Sequence, residues 1–150
     1  MKSSAIVGSA TFLAGMALGV LLGNAPPAPA SPADHAAKVH YLEIVTSELE
    51  AVVATYESAL GVEFSEPDAG LGGARTASVP GGGLVGIRAP LRDSEDPVVR
   101  PYWLVPDIHA AHDAVVRAGG RIAHPPLEIP GHGTFAIFHQ GGNDHGLWQF

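Results

Sequence analysis

The sequence contains no cysteine in its 150 residues. This absence excludes disulfide bonds, thiolate catalysis and thiolate metal sites. Basic residues are also scarce, because 8 Lys and Arg stand against 15 Asp and Glu, for a formal net charge of −7. An acidic protein repels the phosphate backbone, so nucleic acid is not an expected partner.

The first thirty residues contain a single charged side chain, Lys2. An apolar run follows over residues 5–23, and Ala28-Pro29-Ala30 has the small-x-small pattern that signal peptidases accept. We expect residues 1–30 to be a signal peptide that is cleaved after Ala30. The alternative is an uncleaved membrane anchor over residues 5–23. Both readings predict export, with the protein in the periplasm or at the cell surface.

Residues 31–37 combine alanine, proline and polar residues and have no apolar face to bury, so we expect a linker. The remaining residues, 38–150, are numerous enough to form one domain with its own hydrophobic core. The predicted organisation is therefore a leader, a short linker and a single folded domain.

Within residues 38–150 the sequence repeats one pattern at an offset of 59 residues. A strand pattern over 39–45 precedes an amphipathic helix over 48–60, and strand 100–105 and helix 107–118 repeat this arrangement. Glu48 aligns with Asp107, and Gly61 aligns with Gly120, without a gap. Each copy has room for three more short strands, the last of which surrounds Gly86 or Gly146. This duplication predicts an α+β fold of two βαβββ modules.

The positions of the short strands follow from apolar runs between glycine and proline clusters. In the first module they are expected near residues 62–64, 74–79 and 84–87. In the second they are expected near residues 121–123, 134–138 and 145–148. Residues 125–133, which are rich in proline and glycine, are expected to form an irregular connector.

Three short segments carry a resemblance to a known family: Val105-Pro106-Asp107, Ala118-Gly119-Gly120 and the closing Gly146-Leu147-Trp148-Gln149. Together with the paired layout, they make residues 38–150 resemble the vicinal oxygen chelate superfamily. This superfamily includes glyoxalase I, extradiol dioxygenases and the fosfomycin and bleomycin resistance proteins. The resemblance implies that two curled sheets enclose a shared cavity.

Enzymes of this superfamily usually bind one divalent metal through four side chains on the first and last strands of the modules. Carried over onto this sequence, the four positions are Tyr41, Gly86, Arg100 and Gly146. Glycine has no side-chain donor and arginine is permanently cationic, so we expect no cofactor. The alternative is a divalent metal held by His40, which a one-residue slip of the strand would bring into place, or by His139.

Strand parity predicts which side chains face the cavity, because residues two apart share a face. The inward residues on this count are Tyr41, Glu43, Arg88, Arg100, Tyr102 and Trp148. We hypothesise that they bind a small aromatic or anionic molecule, stacked on Trp148 or Tyr102 and held by an arginine, in a cavity widened by Gly86 and Gly146. Glu43, the single inward carboxylate on this count, is the candidate for proton transfer. Alternatively, Glu43 only neutralises an arginine.

Three functions remain open on this sequence. The first is an exported domain that binds a small organic molecule without a tightly bound metal, with its chemical transformation as an option. The second is a metal-dependent lyase, isomerase or dioxygenase, and the third is a non-catalytic structural module whose pocket is closed. A homodimer is a further expectation, because curled sheets associate along exposed edges.

Overall fold

The computed structural model describes residues 38–150 of the chain. The leader predicted for residues 1–30 and the linker predicted for residues 31–37 lie outside the described residues. Among residues 38–150, no helix is both long and apolar enough to cross a membrane.

The two modules follow each other along the chain. The first contains strand β1 (Val39–Val45), helix α1 (Leu49–Leu60), a short 3-10 helix (Ala69–Leu71), and strands β2 (Arg75–Ser78) and β3 (Leu84–Arg88). The second contains strand β4 (Val98–Leu104), helix α2 (Ile108–Arg117), and strands β5 (Arg121–Ile129), β6 (Gly133–Gln140) and β7 (Asn143–Gln149). Both predicted α-helices are confirmed to within one residue at each end.

The strands of both modules form one continuous sheet in the order β2-β3-β1-β4-β7-β6-β5. In each module the first strand runs parallel to the last, β1 beside β3 and β4 beside β7. Strands β1 and β4 pair antiparallel at the middle of the sheet and so join the two modules. The described end strands, β2 and β5, do not pair with each other, so the curled sheet stays unclosed.

The first module has one strand fewer than the sequence predicts, because residues 62–64 do not form a strand. Only Ser65 pairs with β2 in this region, and its N–H donates to the Thr76 carbonyl at 2.8 Å. The Thr76 N–H donates at 3.0 Å to the Ser65 hydroxyl rather than to a backbone carbonyl. A side-chain oxygen therefore takes the place of the second ladder bond, and the pairing does not continue.

Strand β5 is longer than predicted and includes Pro125 and Pro126. Proline donates no backbone hydrogen bond, but β5 is an edge strand, whose outer side needs no donor. Its pairing with β6 is also irregular between Ile122 and His124 and between His124 and Leu127. The prediction of an irregular connector over the whole of residues 125–133 is therefore wrong.

The two helices cover one face of the sheet. Val53 of α1 is buried with Ile44 and Ile87, and Ile108 of α2 is buried with Leu147. Complete burial of an aliphatic side chain of this kind contributes about 1.5–3 kcal/mol. The side chain of Asp107 accepts a hydrogen bond from the N–H of Ala110 at 2.9 Å and so caps α2. The opposite face of the sheet is left for the cavity.

Candidate functional site

A cavity of about 620 Å³ lies on the sheet face away from the helices, with walls from both modules. All six residues predicted to face inward line it: Tyr41, Glu43, Arg88, Arg100, Tyr102 and Trp148. A separate open groove of about 730 Å³ lies beside β2 and includes none of these residues. We therefore place the candidate site in the first cavity, where charged and aromatic side chains converge. The binding roles of the six residues stay predictions.

Tyr41 and Tyr102 fill the space beside two glycines. A Cβ atom on Gly86 would lie no more than 2.6 Å from three atoms of Tyr41, and one on Gly146 would lie no more than 2.6 Å from three ring atoms of Tyr102. Non-bonded heavy atoms do not approach so closely, so any larger residue at either position would have to displace a tyrosine ring. The expectation that these glycines widen the cavity is wrong, because the tyrosine rings occupy the room that they leave.

The four positions at which the family pattern places a metal do not fit a divalent cation in this protein. Gly86 and Gly146 offer no donor and are covered by tyrosine rings. Arg100 adds a permanent positive charge that repels a second cation. Among residues 38–150, no group of three or more His, Asp or Glu side chains is arranged to hold a metal ion.

His40, one of the two alternative metal ligands, lies outside the cavity wall. It is the extra residue at an irregularity in the pairing of β1 with β4. Its ring centre is 5.5 Å from that of Trp148 and 4.6 Å from that of Phe150. Burial, together with the nearby Lys38, lowers the pKa of His40. These contacts are those of a packed aromatic side chain.

His139, the other alternative ligand, does line the cavity. On strand β6 it lies opposite Asp144, and Ile137 lies opposite Gly146. Its Nδ1 atom contacts the Asp144 carboxylate. His139 therefore supports an acidic side chain at the edge of the site.

Glu43 is the shared acceptor of three buried donors. Its Oε1 atom accepts from Arg88 Nε at 2.7 Å, and its Oε2 atom accepts from the Tyr102 hydroxyl at 3.0 Å and from Arg100 Nη1. Glu43, Arg88 and Arg100 are only 6 %, 5 % and 7 % exposed. A carboxylate has about four acceptor positions, and three are occupied here. Glu43 thus has the contacts of a structural ion pair, extended to two arginines.

Two further carboxylates complete this arrangement. Glu95 accepts hydrogen bonds from both terminal nitrogens of Arg88, at 2.9 and 2.7 Å. Asp144 accepts one from Arg100 Nη2 at 2.9 Å. We call Glu43, Arg88, Glu95, Arg100 and Asp144 the charge network. Its two guanidiniums and three carboxylates carry a formal charge of −1.

The arginines shift the titration of both outer carboxylates. The hydrogen bonds from Arg88 lower the pKa of Glu95 to about 2. Burial alone raises the pKa of Asp144, but hydrogen bonds from Arg100 and His139 outweigh it and lower that pKa below its usual value. Both carboxylates therefore stay ionised at neutral pH and hold the arginines in place.

Strand parity did not identify Glu95 or Asp144. Glu95 lies in the loop between β3 and β4, where no strand periodicity indicates its direction, and its Oε2 atom accepts the N–H of Leu91 at 2.7 Å. Asp144 shares a face of β7 with Gly146 and Trp148, so strand parity would place its side chain toward the cavity. The sequence analysis does not name Asp144 because it predicts a strand that begins at His145, whereas β7 begins at Asn143.

The rest of the cavity wall is mostly apolar. Its larger aliphatic and aromatic members outside the tyrosines and Trp148 are Leu71, Leu91, Leu127, Ile129, Phe135 and Ile137. Leu91 and Leu127 come from opposite modules and are 63 % and 50 % exposed, so they mark the mouth. His124 also lines the wall, with its ring centre 4.9 Å from that of Phe135. Apolar walls around a few fixed polar groups are typical of small-molecule sites.

Two buried donor atoms of the site, the Tyr41 hydroxyl and Arg100 Nε, have no hydrogen-bond partner among the described residues. Burial raises the pKa of Tyr41, so its hydroxyl keeps its proton and remains a donor. An unpaired buried donor costs about 1–3 kcal/mol. Two buried donors beside the cavity therefore lack an acceptor among the described residues.

The structure resembles several solved structures. A hypothetical protein from Bacillus halodurans C-125 has a TM-score of 0.61 at 14% identity, covering 77% of this chain and 95% of that chain. Methylmalonyl-CoA epimerase from Mycobacterium tuberculosis has a TM-score of 0.58 at 19% identity, covering 73% and 85%. The Streptomyces coelicolor epimerase has a TM-score of 0.56 at 17% identity, covering 75% and 93%.

The sequence matches no protein-family model and has no significant match to a curated protein. The likeness to the epimerases is therefore one of fold. It agrees with the duplicated modules, with the parallel pairing of first and last strands in each, and with the shared cavity. The chain has the fold of the vicinal oxygen chelate superfamily, as its sequence motifs predict.

Proposed function

We propose that this protein binds a small organic molecule in the cavity between its two modules and that no metal takes part in binding. The observation that carries this proposal is a cavity of about 620 Å³ with apolar walls above a charge network. This volume falls within the range of about 300–1,000 Å³ that is usual for small-molecule sites. The lack of donors at Gly86 and Gly146 supports binding without a metal.

The structural neighbours support a ligand-binding use of the fold. One Streptomyces coelicolor epimerase structure is a complex with 2-nitronate-propionyl-CoA, and another methylmalonyl-CoA epimerase structure is a complex with methylmalonyl-CoA and NH4+. These proteins are 17% and 16% identical to this chain. They support the class of function proposed here rather than the same ligand.

Binding, rather than turnover, is the function that the contacts favour. Glu43 is engaged by Arg88, Arg100 and Tyr102, which leaves little of its carboxylate for a substrate proton. The proton-transfer role of Glu43 stays a prediction. A purely structural module is less favoured, because protein interiors are close-packed and a module of that kind has no use for an open cavity of this size.

The proposal includes export of the protein. Lys2, the apolar run over residues 5–23 and Ala28-Pro29-Ala30 support it, and all of them lie outside the described residues. N-terminal sequencing of the protein from its native host tests cleavage, which predicts a mature chain that begins at Ser31. A chain that keeps residues 5–23 and stays in the membrane fraction would instead indicate an anchor.

A homodimer is likewise proposed, through the edge strands β2 or β5. Among the described residues, β5 pairs with β6 alone, and the outer side of β2 is met only by Ser65, at Thr76. The outer side of β5 is therefore free, and that of β2 is free in part. Light scattering coupled to size-exclusion chromatography tests this, because a dimer doubles the mass. A monomer mass at all concentrations would contradict it.

Ligand binding can be tested with a matched pair of variants. The full-length protein is screened by thermal shift against one-ring and two-ring aromatic compounds, both charged and uncharged, because a ligand that binds the folded state raises Tm. Ala123 lines the cavity, whereas Ala114 is exposed on α2. Ala123→Phe should abolish the Tm shift and Ala114→Phe should leave it unchanged. Absence of any stabilising compound, or equal responses of the two variants, would contradict the proposal.

A further inference from the structure

We infer that the cavity selects an uncharged ring compound over an anion of the same shape. This inference rests on the proposed function and names the class of ligand that the site takes. The sequence predicts an aromatic or an anionic ligand, and this inference chooses between the two. The reason lies in how the two arginines are already paired.

Neither arginine offers a free charge to a ligand. All three nitrogens of Arg88 donate, to Glu43, to Glu95 and to the Ala89 carbonyl. Both terminal nitrogens of Arg100 donate to carboxylates, those of Glu43 and Asp144. The guanidiniums that a sequence reading assigns to an anionic ligand are therefore neutralised within the protein.

An anionic ligand would add a fourth negative charge to a network that holds three carboxylates and two guanidiniums. It would lose its hydration on entering an apolar cavity and find no unpaired cation at the floor. It could bind there only by displacing Glu43, Glu95 or Asp144 from an arginine. An uncharged ligand avoids both costs.

Three other polar side chains line the wall, and none of them reverses this balance. His124 lies against Phe135, with its Nδ1 atom 2.8 Å from the Pro125 carbonyl oxygen. Arg92 lies at the mouth, where it is exposed and its charge is screened by water and salt. His139 is in contact with Asp144, so a positive charge on its ring is already matched by that carboxylate. Among the buried side-chain donors of the described residues, the Tyr41 hydroxyl and Arg100 Nε lack a hydrogen-bond partner. The arginine charges at the floor are therefore paired within the protein before any ligand enters.

The apolar part of the wall favours a ring. Phe135 is half-buried, and its ring centre is 6.3 Å from that of Tyr102 and 6.4 Å from that of Trp148. Ile137 and Leu127 flank the same side of the cavity. A flat apolar molecule packs against such surfaces and buries its area without needing a charge partner.

The test uses three probes that share one ring system and differ in charge. They are 2-acetylnaphthalene, which is neutral; 2-naphthoate, which replaces the methyl group with a charged oxygen; and N,N,N-trimethyl-2-naphthylammonium, which is cationic. Isothermal titration calorimetry with the full-length protein at pH 7 measures the three dissociation constants. We expect 2-acetylnaphthalene to bind at least tenfold more tightly than 2-naphthoate, and the ammonium compound shows whether a charge of the opposite sign meets the same penalty.

A second measurement changes the charge network itself. Glu95→Gln removes one carboxylate from Arg88, so the ratio of the affinity for 2-naphthoate to that for 2-acetylnaphthalene should rise several-fold. Glu63→Gln is the matched control, because Glu63 is exposed and lies outside the cavity wall. It removes the same formal charge and should change neither affinity.

The outcomes separate the two claims. Binding of 2-naphthoate to the wild-type protein as tightly as 2-acetylnaphthalene, or more tightly, would overturn the charge selection and leave the proposed binding function intact. Binding of none of the three probes, together with no response in the wider panel, would overturn the proposed function and this inference with it. The wild-type comparison stands even where Glu95→Gln fails to fold.

Discussion

Tyr102 lies against the backbone of Gly146, in the space that any larger residue at position 146 would need for its own side chain. Tyr41 lies against Gly86 in the same way. The two tyrosine rings have centres 5.5 Å apart and belong to the same buried cluster. An aromatic pair backed by two glycines thus stands where the family pattern places metal ligands.

The first prediction concerns this fit. Gly146→Ala should lower the free energy of unfolding by about 1–3 kcal/mol, because its Cβ collides with the Tyr102 ring and overpacks the core. Urea unfolding of the full-length protein measures this loss.

The double variant Gly146→Ala with Tyr102→Ala serves as the control. Removal of the ring relieves the collision, so the two losses should be less than additive, with a coupling above about 0.5 kcal/mol. Strict additivity of the two losses would show that the ring does not occupy this space.

The second prediction compares the two tyrosine hydroxyls. Tyr41→Phe removes a buried donor that has no partner among the described residues, so stability should rise by about 1 kcal/mol. Tyr102→Phe removes a hydrogen bond to the Glu43 carboxylate, so stability should fall by about 1.5–3 kcal/mol. Thermal or urea unfolding of both variants gives the signs. A loss of equal size in Tyr41→Phe would mean that its hydroxyl has a partner.

The third prediction concerns the stability of the fold at acidic pH. Arg88 holds the pKa of Glu95 at about 2, below its ordinary value of 4.5. A depressed carboxyl pKa stabilises the fold fully above the ordinary value, and the stabilisation is lost as the pH falls toward about 2. Asp144 shifts in the same direction. Stability measured by urea unfolding should therefore decline steeply between about pH 4.5 and pH 2.

Glu95→Gln isolates this contribution. The variant should be less stable at pH 7 by about 2 kcal/mol, because it loses charged hydrogen bonds to Arg88. Its stability should also fall less between about pH 4.5 and pH 2 than that of the wild-type protein. Glu63→Gln should behave like the wild type. An unchanged slope in Glu95→Gln would show that this carboxylate does not carry the effect.

Much of this fold could be predicted from the sequence, because its signals are local and duplicated. The periodicity of residues 48–60 and 107–118 indicates both helices, and strand parity places Tyr41, Arg88 and Trp148 on the face that carries the cavity. A pattern that occurs twice at one offset is stronger evidence than either copy alone.

The remaining features depend on contacts that no local pattern records. Residues 62–64 fail to form a strand because the Ser65 hydroxyl replaces a ladder carbonyl. Pro125 and Pro126 are tolerated because β5 is an edge strand. Glu95 reaches Arg88 from a loop, and the tyrosine rings take up the room beside Gly86 and Gly146. Each of these facts is set by tertiary packing.

The most direct test of the account is a calorimetric titration of the full-length protein with 2-acetylnaphthalene, before and after exhaustive dialysis against a strong chelator. Because Gly86 and Gly146 offer no side-chain ligand and Arg100 is cationic, the dissociation constant should be the same in both titrations. Binding that disappears on chelation and returns when Zn²⁺, Fe²⁺ or Mn²⁺ is added would contradict the claim that this cavity works without a metal.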